Sequence, residues 1–255
     1  MEIKDPSFNY DEHGQKYSGY RQTDRRIAKY VYEALGSAKT VLNVGAGAGS
    51  YEPEDKYVIA VEPSGVMRSQ RQKAQKVPAI NATADSLPFD DNSFDAAMAM
   101  VTVHHWPDIR KGLQELKRVT REKILIMTFD PKALDNFWNA YYFPELIEVE
   151  KARYPTMDFI TEALGVECTI QSVPIPFDCA DGFQEAFYGR PEAFLEKEIR
   201  LSQSAWGFLP EGMEDKLVKR LERDLKSGEW DKKFGEFRTK PAFTCALRLI
   251  TAVLR

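Results

Sequence analysis

The sequence predicts an α/β fold, a mostly parallel sheet with helices on both faces and a helical segment inserted between its last strands. Three observations carry that expectation. Short apolar runs alternate with segments of helical periodicity through the first half of the chain. A glycine-rich loop follows the first apolar run directly. An acid, Glu62, ends the second.

The elements follow in order. Residues 23–35 carry Ile27, Val31 and Leu35 at helical spacing, with Thr23 as N-cap and Gly36 just past the end. Thr40–Val44 (TVLNV) and Tyr57–Val61 (YVIAV) are uninterrupted apolar runs of the kind expected for strands buried on both faces. Residues 64–75 read as a helix and 78–82 as a short strand, followed by a strand over 94–101. Ile109–Val119 reads as a helix and residues 123–129 (KILIMTF) as the strongest strand. The second half opens with aromatic-rich helical sequence. Residues 166–175 and 242–254 read as strands, and about 180–235 as helices over 183–187, 191–201 and 214–225. These elements divide a single domain of 1–255 into an arm (1–22), a core (about 23–130), a helical lid (about 177–240) and a last strand (242–255).

A chain of 255 residues can bury a sizeable core. Its 43% hydrophobic and 29% charged content are those of a globular enzyme and exclude the disordered and fibrous classes. The polar N-terminus lacks the apolar stretch of a signal peptide, and no run reaches the ~20 apolar residues that span a bilayer. Cys168, Cys179 and Cys245 have no metal-like spacing and read as reduced thiols, which points to the cytoplasm, with no metal and no membrane. The net charge of −4, with acids and bases interspersed, argues against a nucleic-acid partner. The basic stretch 68–76 reads as the solvated outer face of a helix.

The strongest local signal is VLNVGAGAGS, with Gly45, Gly47 and Gly49 directly after a strand. Glycine allows a sharp turn and a close approach of backbone amides to a ligand. The spacing is G-x-G-x-G, with Ser50 in the place of the third glycine of a dinucleotide fingerprint. The next strand begins at Tyr57, with Pro53 between, which leaves no room for the helix whose N-terminus normally holds a pyrophosphate. Glu62 is placed to accept both hydroxyls of a ribose.

VLNVGAGAGS, VIAVEPS and ATADSLPFDDNSFDAAMAMVTVHHWPD together resemble the successive motifs of the class I S-adenosylmethionine-dependent methyltransferases. The nearest branch is the small-molecule group that includes the ubiquinone and menaquinone C-methyltransferases. The resemblance covers about residues 17–130 and implies a Rossmann-like seven-stranded sheet that binds S-adenosylmethionine and releases S-adenosylhomocysteine. It further implies that Gly45, Ala46, Gly47 and Gly49 cradle the methionine part and that Glu62 takes the ribose. Pro63 and Met67 would line the adenine, Ala84 and Asp85 would hold its amino group, and Val101 would touch the opposite face. Tyr17 and Arg21 would fold over the cofactor, with Arg21 on the methionine carboxylate. The chain departs from the pattern at Asn43, where an acid is usual, at Thr83, where the adenine-binding acid often stands, and in the turn at 51–53 that replaces a helix.

A sulfonium methyl is already activated, so alignment and exclusion of water are much of the task, worth ~7–11 kcal/mol. A general base is needed only where the acceptor must lose a proton. His104 and His105, just after the fourth strand, are candidates for proton removal or acceptor positioning; ordering of the loop is the alternative for His105. Asp181 and Cys179, within an aromatic-rich stretch, are candidates for a wall facing the acceptor. The alternative for Asp181 is the N-cap of a helix. The function expected is methyl transfer to a small organic acceptor by direct displacement under the lid. An NAD(P) oxidoreductase and a non-catalytic S-adenosylmethionine-binding module are the other classes considered.

Overall fold

The computed structural model describes residues 20–254. Seven strands form one sheet: β1 (Thr40–Val44), β2 (Tyr57–Val61), β3 (Ala79–Ile80), β4 (Phe94–Met100), β5 (Thr120–Phe129), β6 (Cys168–Ser172) and β9 (Leu247–Val253). Their spatial order is β3-β2-β1-β4-β5-β9-β6. The first five are mutually parallel; β9 enters antiparallel between β5 and β6. Two short strands, β7 (Ile175–Pro176) and β8 (Ala242–Phe243), pair separately. The order reverses between β1 and β4, and the crevice at the carboxyl ends there is where such sheets take ligands.

Side chains alternate along the central strands, so the sheet separates two cores. On one face Val41, Met98, Leu125 and Met127 pack with Ile27, Val31 and Leu35 of helix α1 (Arg25–Leu35). On the other, Leu42, Ala97, Ala99 and Ile126 pack with Leu113 and Leu116, which belong to a later helix over Ile109–Val119. Helix α2 (Gly65–Lys73) follows β2, and α3 is the Ile109–Val119 helix. The first core continues into an aromatic layer that includes Trp138, Phe143, Phe194 and Trp230, their rings meeting largely edge to face. Edge-to-face contacts match the positive ring edge to the negative ring face.

After β5 come α4 (Asn139–Tyr142), α5 (Pro144–Arg153) and α6 (Met157–Leu164). Between β7 and β8 the chain is helical in short pieces: 3-10 turns, α7 (Lys197–Leu201), α8 (Met213–Ser227) and α9 (Glu229–Phe234). No helix of the described residues is long and apolar enough to cross a membrane.

Several boundaries differ from expectation. Asp24, not Thr23, caps α1, accepting from Arg26 N at 2.9 Å, while Thr23 Oγ1 accepts from Tyr51 N. The strand expected over 166–175 ends at Ser172; Pro174, which has no N–H to donate, follows, and Ile175 turns away to pair with Phe243. The strand expected over 242–254 is divided because Ala246 N donates to the Glu185 carboxylate instead of to a neighbouring strand. The helix expected over 191–201 breaks at Glu196 into a 3-10 turn and α7. That over 183–187 is a single 3-10 turn, Gln184–Phe187.

Candidate functional site

β1 runs straight into the glycine loop, and no helix lies between it and β2. Gly45 has φ +67°, and a Cβ there would stand 2.1 Å from Thr102 Oγ1. Gly47 N donates to Glu62 Oε2 at 2.8 Å and Ser64 N to Glu62 Oε1 at 2.9 Å. The two amides hold the Glu62 carboxylate in a fixed orientation at the end of β2. Ser64 also caps α2 through Met67 N, which sets Met67 beside Gly47.

These residues line a cleft of about 380 Å³, together with Ala46, Pro63, Ala84 and Val101. Arg21, Thr83, Trp106 and Asp181 complete its rim. Two expected contacts fall outside its wall. Gly49 turns its face to Arg71 and Glu52, and Asp85 is off the wall with its carboxylate 3.9 Å from Lys111 Nζ. Thr83 and Ala84 stand on the wall instead. Tyr17 lies outside the described residues.

The turn that replaces the helix is built on buried charge. Tyr51 has φ +63°, is buried, and donates its hydroxyl to Asp181 Oδ2 at 2.8 Å. Burial and the Asp181 charge push that hydroxyl well above the usual tyrosine range, so it stays a donor. Glu52 is buried beside Asn43, whose Nδ2 donates to Glu52 Oε1 at 2.9 Å. The negative charge missing at Asn43 is thus present one side chain away. Arg71 closes the set with two bonds to Glu52, at 2.7 and 3.0 Å, and a third to the Val77 carbonyl. Arg71 has no exposed surface, which corrects the reading of 68–76 as a wholly solvated face.

A second cavity, about 40 Å³, adjoins the cleft, and Arg21, Val101 and His105 line both. Val101 has φ +52°, a strained conformation for a β-branched residue, and sits at that junction. The cavity walls are mainly apolar, from Phe129, Phe137, Ile147, Tyr154 and Phe183, with Glu150, Gln184 and Glu185 among them. Burial pushes the Glu185 carboxyl up to about 7 even though Ala246 N donates to it.

The histidines hold different positions. His104 is buried, with its ring 4.2 Å from that of Tyr154 and 3.9 Å from that of His105. Arg153 Nη2 lies 3.3 Å from His105 Nδ1. A guanidinium can only donate, so Nδ1 accepts and the neutral ring carries its proton on Nε2. Burial first, then the charges of Arg153 and Arg21, press both imidazoles well below the usual histidine range; His104 is further lowered by His105. Both are therefore uncharged at neutral pH.

Asp181 is buried and accepts from Arg21 Nε at 2.5 Å as well as from Tyr51. It faces the cleft and is not the cap of the 3-10 turn that follows. Cys179 is a buried thiol, pushed up to about 12 by burial, with its Sγ 3.6 Å from the Asp181 carbonyl and on neither cavity wall. Sequence reasoning missed the roles of Glu52, Arg71 and Glu150 because their partners are distant in sequence. Among the described residues no group of three or more His, Cys, Asp or Glu is arranged to hold a metal.

Residues 42–127 match the family described as a methyltransferase domain. The chain is 32% identical over 114 residues to the uncharacterized methyltransferase YcgJ of Bacillus subtilis, covering 39% of this chain and 45% of that protein. It is 28% identical over 138 residues to a ubiquinone/menaquinone biosynthesis C-methyltransferase of Geobacter sp., covering 47% and 59%. The chain therefore spans about half the length of the curated relatives it matches. A solved putative methyltransferase from an antibiotic biosynthesis pathway of Anabaena variabilis superposes with a TM-score of 0.82 at 28% identity, covering 94% of this chain and 100% of that one. The plantazolicin methyltransferase BpumL, solved with S-adenosylhomocysteine, shares the fold at a TM-score of 0.52 and 12% identity, with 97% and 88% covered.

Proposed function

We propose that this chain, whose residues 42–127 carry a methyltransferase domain, transfers a methyl group from S-adenosylmethionine to a small organic acceptor by direct displacement. The observation that carries this reading is the adjacency of the two cavities, joined at Arg21, Val101 and His105. The residues present suit the cofactor. Glu62, already oriented by two backbone amides, offers its carboxylate to a ribose. Gly45 and Gly47, both at positive φ, let the loop turn along the cleft wall close to Thr102 and Met67, and Pro63, Met67 and Ala84 give an apolar slot for the adenine. When bound, the cofactor supplies a methyl group on a positively charged sulfur.

The protein's part is alignment and exclusion of water. Arg21, held by Asp181, lies where it can pair with the methionine carboxylate. His105, on the walls of both cavities, positions the acceptor, while His104 packs against Tyr154. The helical segment beyond β7 covers the acceptor side with Phe183, Gln184, Gln203 and Ser204, and acts as the lid of a single domain. An oxidoreductase reading is weakened by the missing helix after the glycine loop. The three free thiols fit a reducing compartment, the cytoplasm.

Substitution Glu62→Ala tests the reading. A hydrogen bond to a charged group contributes roughly 1.5–3 kcal/mol, so two lost ribose bonds weaken S-adenosylhomocysteine binding by about 100-fold or more. Calorimetric titration measures this beside a melting curve that confirms folding. Unchanged affinity in a folded variant would remove Glu62 from the site.

A further inference from the structure

The acceptor cavity contains a buried carboxylate with one oxygen held and the other without a hydrogen-bond partner among the described residues. Glu150, on α5, is 7% exposed and lines the cavity. Gln184 Nε2 donates to its Oε1 at 2.6 Å. Asn139 Nδ2 in turn donates to Gln184 Oε1 at 3.2 Å, which fixes the amide so that its NH2 group points at Glu150. Glu150 Oε2 has no hydrogen-bond partner among the described residues. A buried acceptor left open in this way calls for a donor from a ligand.

The other polar groups of the cavity differ in what they offer, and His104 Nδ1, on a neutral ring, is the one that also lacks a hydrogen-bond partner among the described residues. His105 accepts at Nδ1 and has its proton on Nε2, so it donates. Both oxygens of Glu185 face Ala246 N, at 3.1 and 3.3 Å. Asp181 is engaged by Arg21 and Tyr51 and faces the cleft. Glu150 Oε2 is thus the unpaired carboxylate oxygen within walls of Phe129, Phe137, Ile147, Tyr154 and Phe183.

We infer that Glu150 Oε2 recognises a hydroxyl on the methyl acceptor, a largely apolar molecule that extends from this small cavity through the junction at Arg21, Val101 and His105 toward the cleft. The inference rests on the reading of the neighbouring cleft as the S-adenosylmethionine site. A hydroxyl satisfies Oε2 without adding charge. An ammonium would bring a second cation beside the sulfonium, near Arg21 and Arg153, and a carboxylate would be repelled by Glu150 itself. Burial raises the Glu150 carboxyl, against the lowering influence of Arg153, Gln184 and Arg21.

The test measures equilibrium binding of para-cresol and its methyl ether, 4-methylanisole, to the full chain saturated with S-adenosylhomocysteine. Para-cresol is expected to bind about tenfold more tightly. In Glu150→Gln, Gln184 retains the amide oxygen and turns the new NH2 into the cavity. The preference should then fall to within about twofold, because both probes have an oxygen that can accept. Equal binding of the two probes to the unaltered protein, binding of neither, or a preference that survives Glu150→Gln in a folded variant would overturn the assignment. The comparison on the unaltered protein stands even if the variant does not fold. Failure of S-adenosylhomocysteine itself to bind would instead overturn the reading of the cleft.

Discussion

Replacing Gly45 with alanine is expected to weaken S-adenosylhomocysteine binding by at least tenfold and to lower the melting temperature. The backbone at Gly45 has φ +67°, a left-handed conformation that costs an L-residue roughly 1–2 kcal/mol. The larger effect is steric. The added Cβ would meet Thr102 Oγ1 at 2.1 Å and Thr102 Cβ at 2.9 Å, so backbone must move as well as side chain. Thr102 begins the loop that carries His104 and His105 and follows the strained Val101. A shift there displaces the junction between the two cavities. Removing the obstacle in Gly45→Ala/Thr102→Gly should restore part of the affinity but not the conformational cost. Calorimetry and thermal melting of both variants measure the two contributions; full affinity in the single variant would show that the loop yields without consequence.

Replacing Arg71 with leucine is expected to be the most destabilising single change considered. Arg71 is fully buried, and its loss leaves the Glu52 carboxylate buried without its cation. Breaking such a pair typically costs about 3–5 kcal/mol, because the remaining charge keeps its desolvation penalty. For a chain of this size that corresponds to a drop in melting temperature of about 10 °C. Glu52→Gln/Arg71→Leu should recover most of the loss, since no uncompensated charge remains. Melting curves of the two variants separate these outcomes. A single variant as stable as the unaltered protein would mean that Glu52 finds another partner or water.

The parallel half of the fold was legible because its strands are short uninterrupted apolar runs; β1 is buried on both faces as expected, whereas β2, next to the edge strand, buries only Ala60 and Val61 and leaves Tyr57 and Ile59 exposed. TVLNV and YVIAV admit few other readings, and the helix over Ile109–Val119 begins and ends where its apolar spacing does. The second half was less legible because single interactions divide its elements. Pro174 ends one strand, and Glu185 draws Ala246 N out of the ladder of another. The glycine loop and Glu62 could be read because their pattern is local. Glu52 and Arg71 are separated by 19 positions, and Glu150 and Gln184 by 34. On a sequence they cannot be told from solvated charges such as Glu148, two positions before Glu150. Gly49 and Asp85 lie within motifs that point at the cleft, yet both are off its wall.

The most direct test of the central claim is calorimetric titration of the unaltered protein with S-adenosylhomocysteine and, separately, with NADH. One site per chain for S-adenosylhomocysteine and no heat from NADH is the result expected from a cleft with Glu62 on the ribose side and no helix N-terminus for a pyrophosphate. Binding of NADH with none of S-adenosylhomocysteine would contradict it.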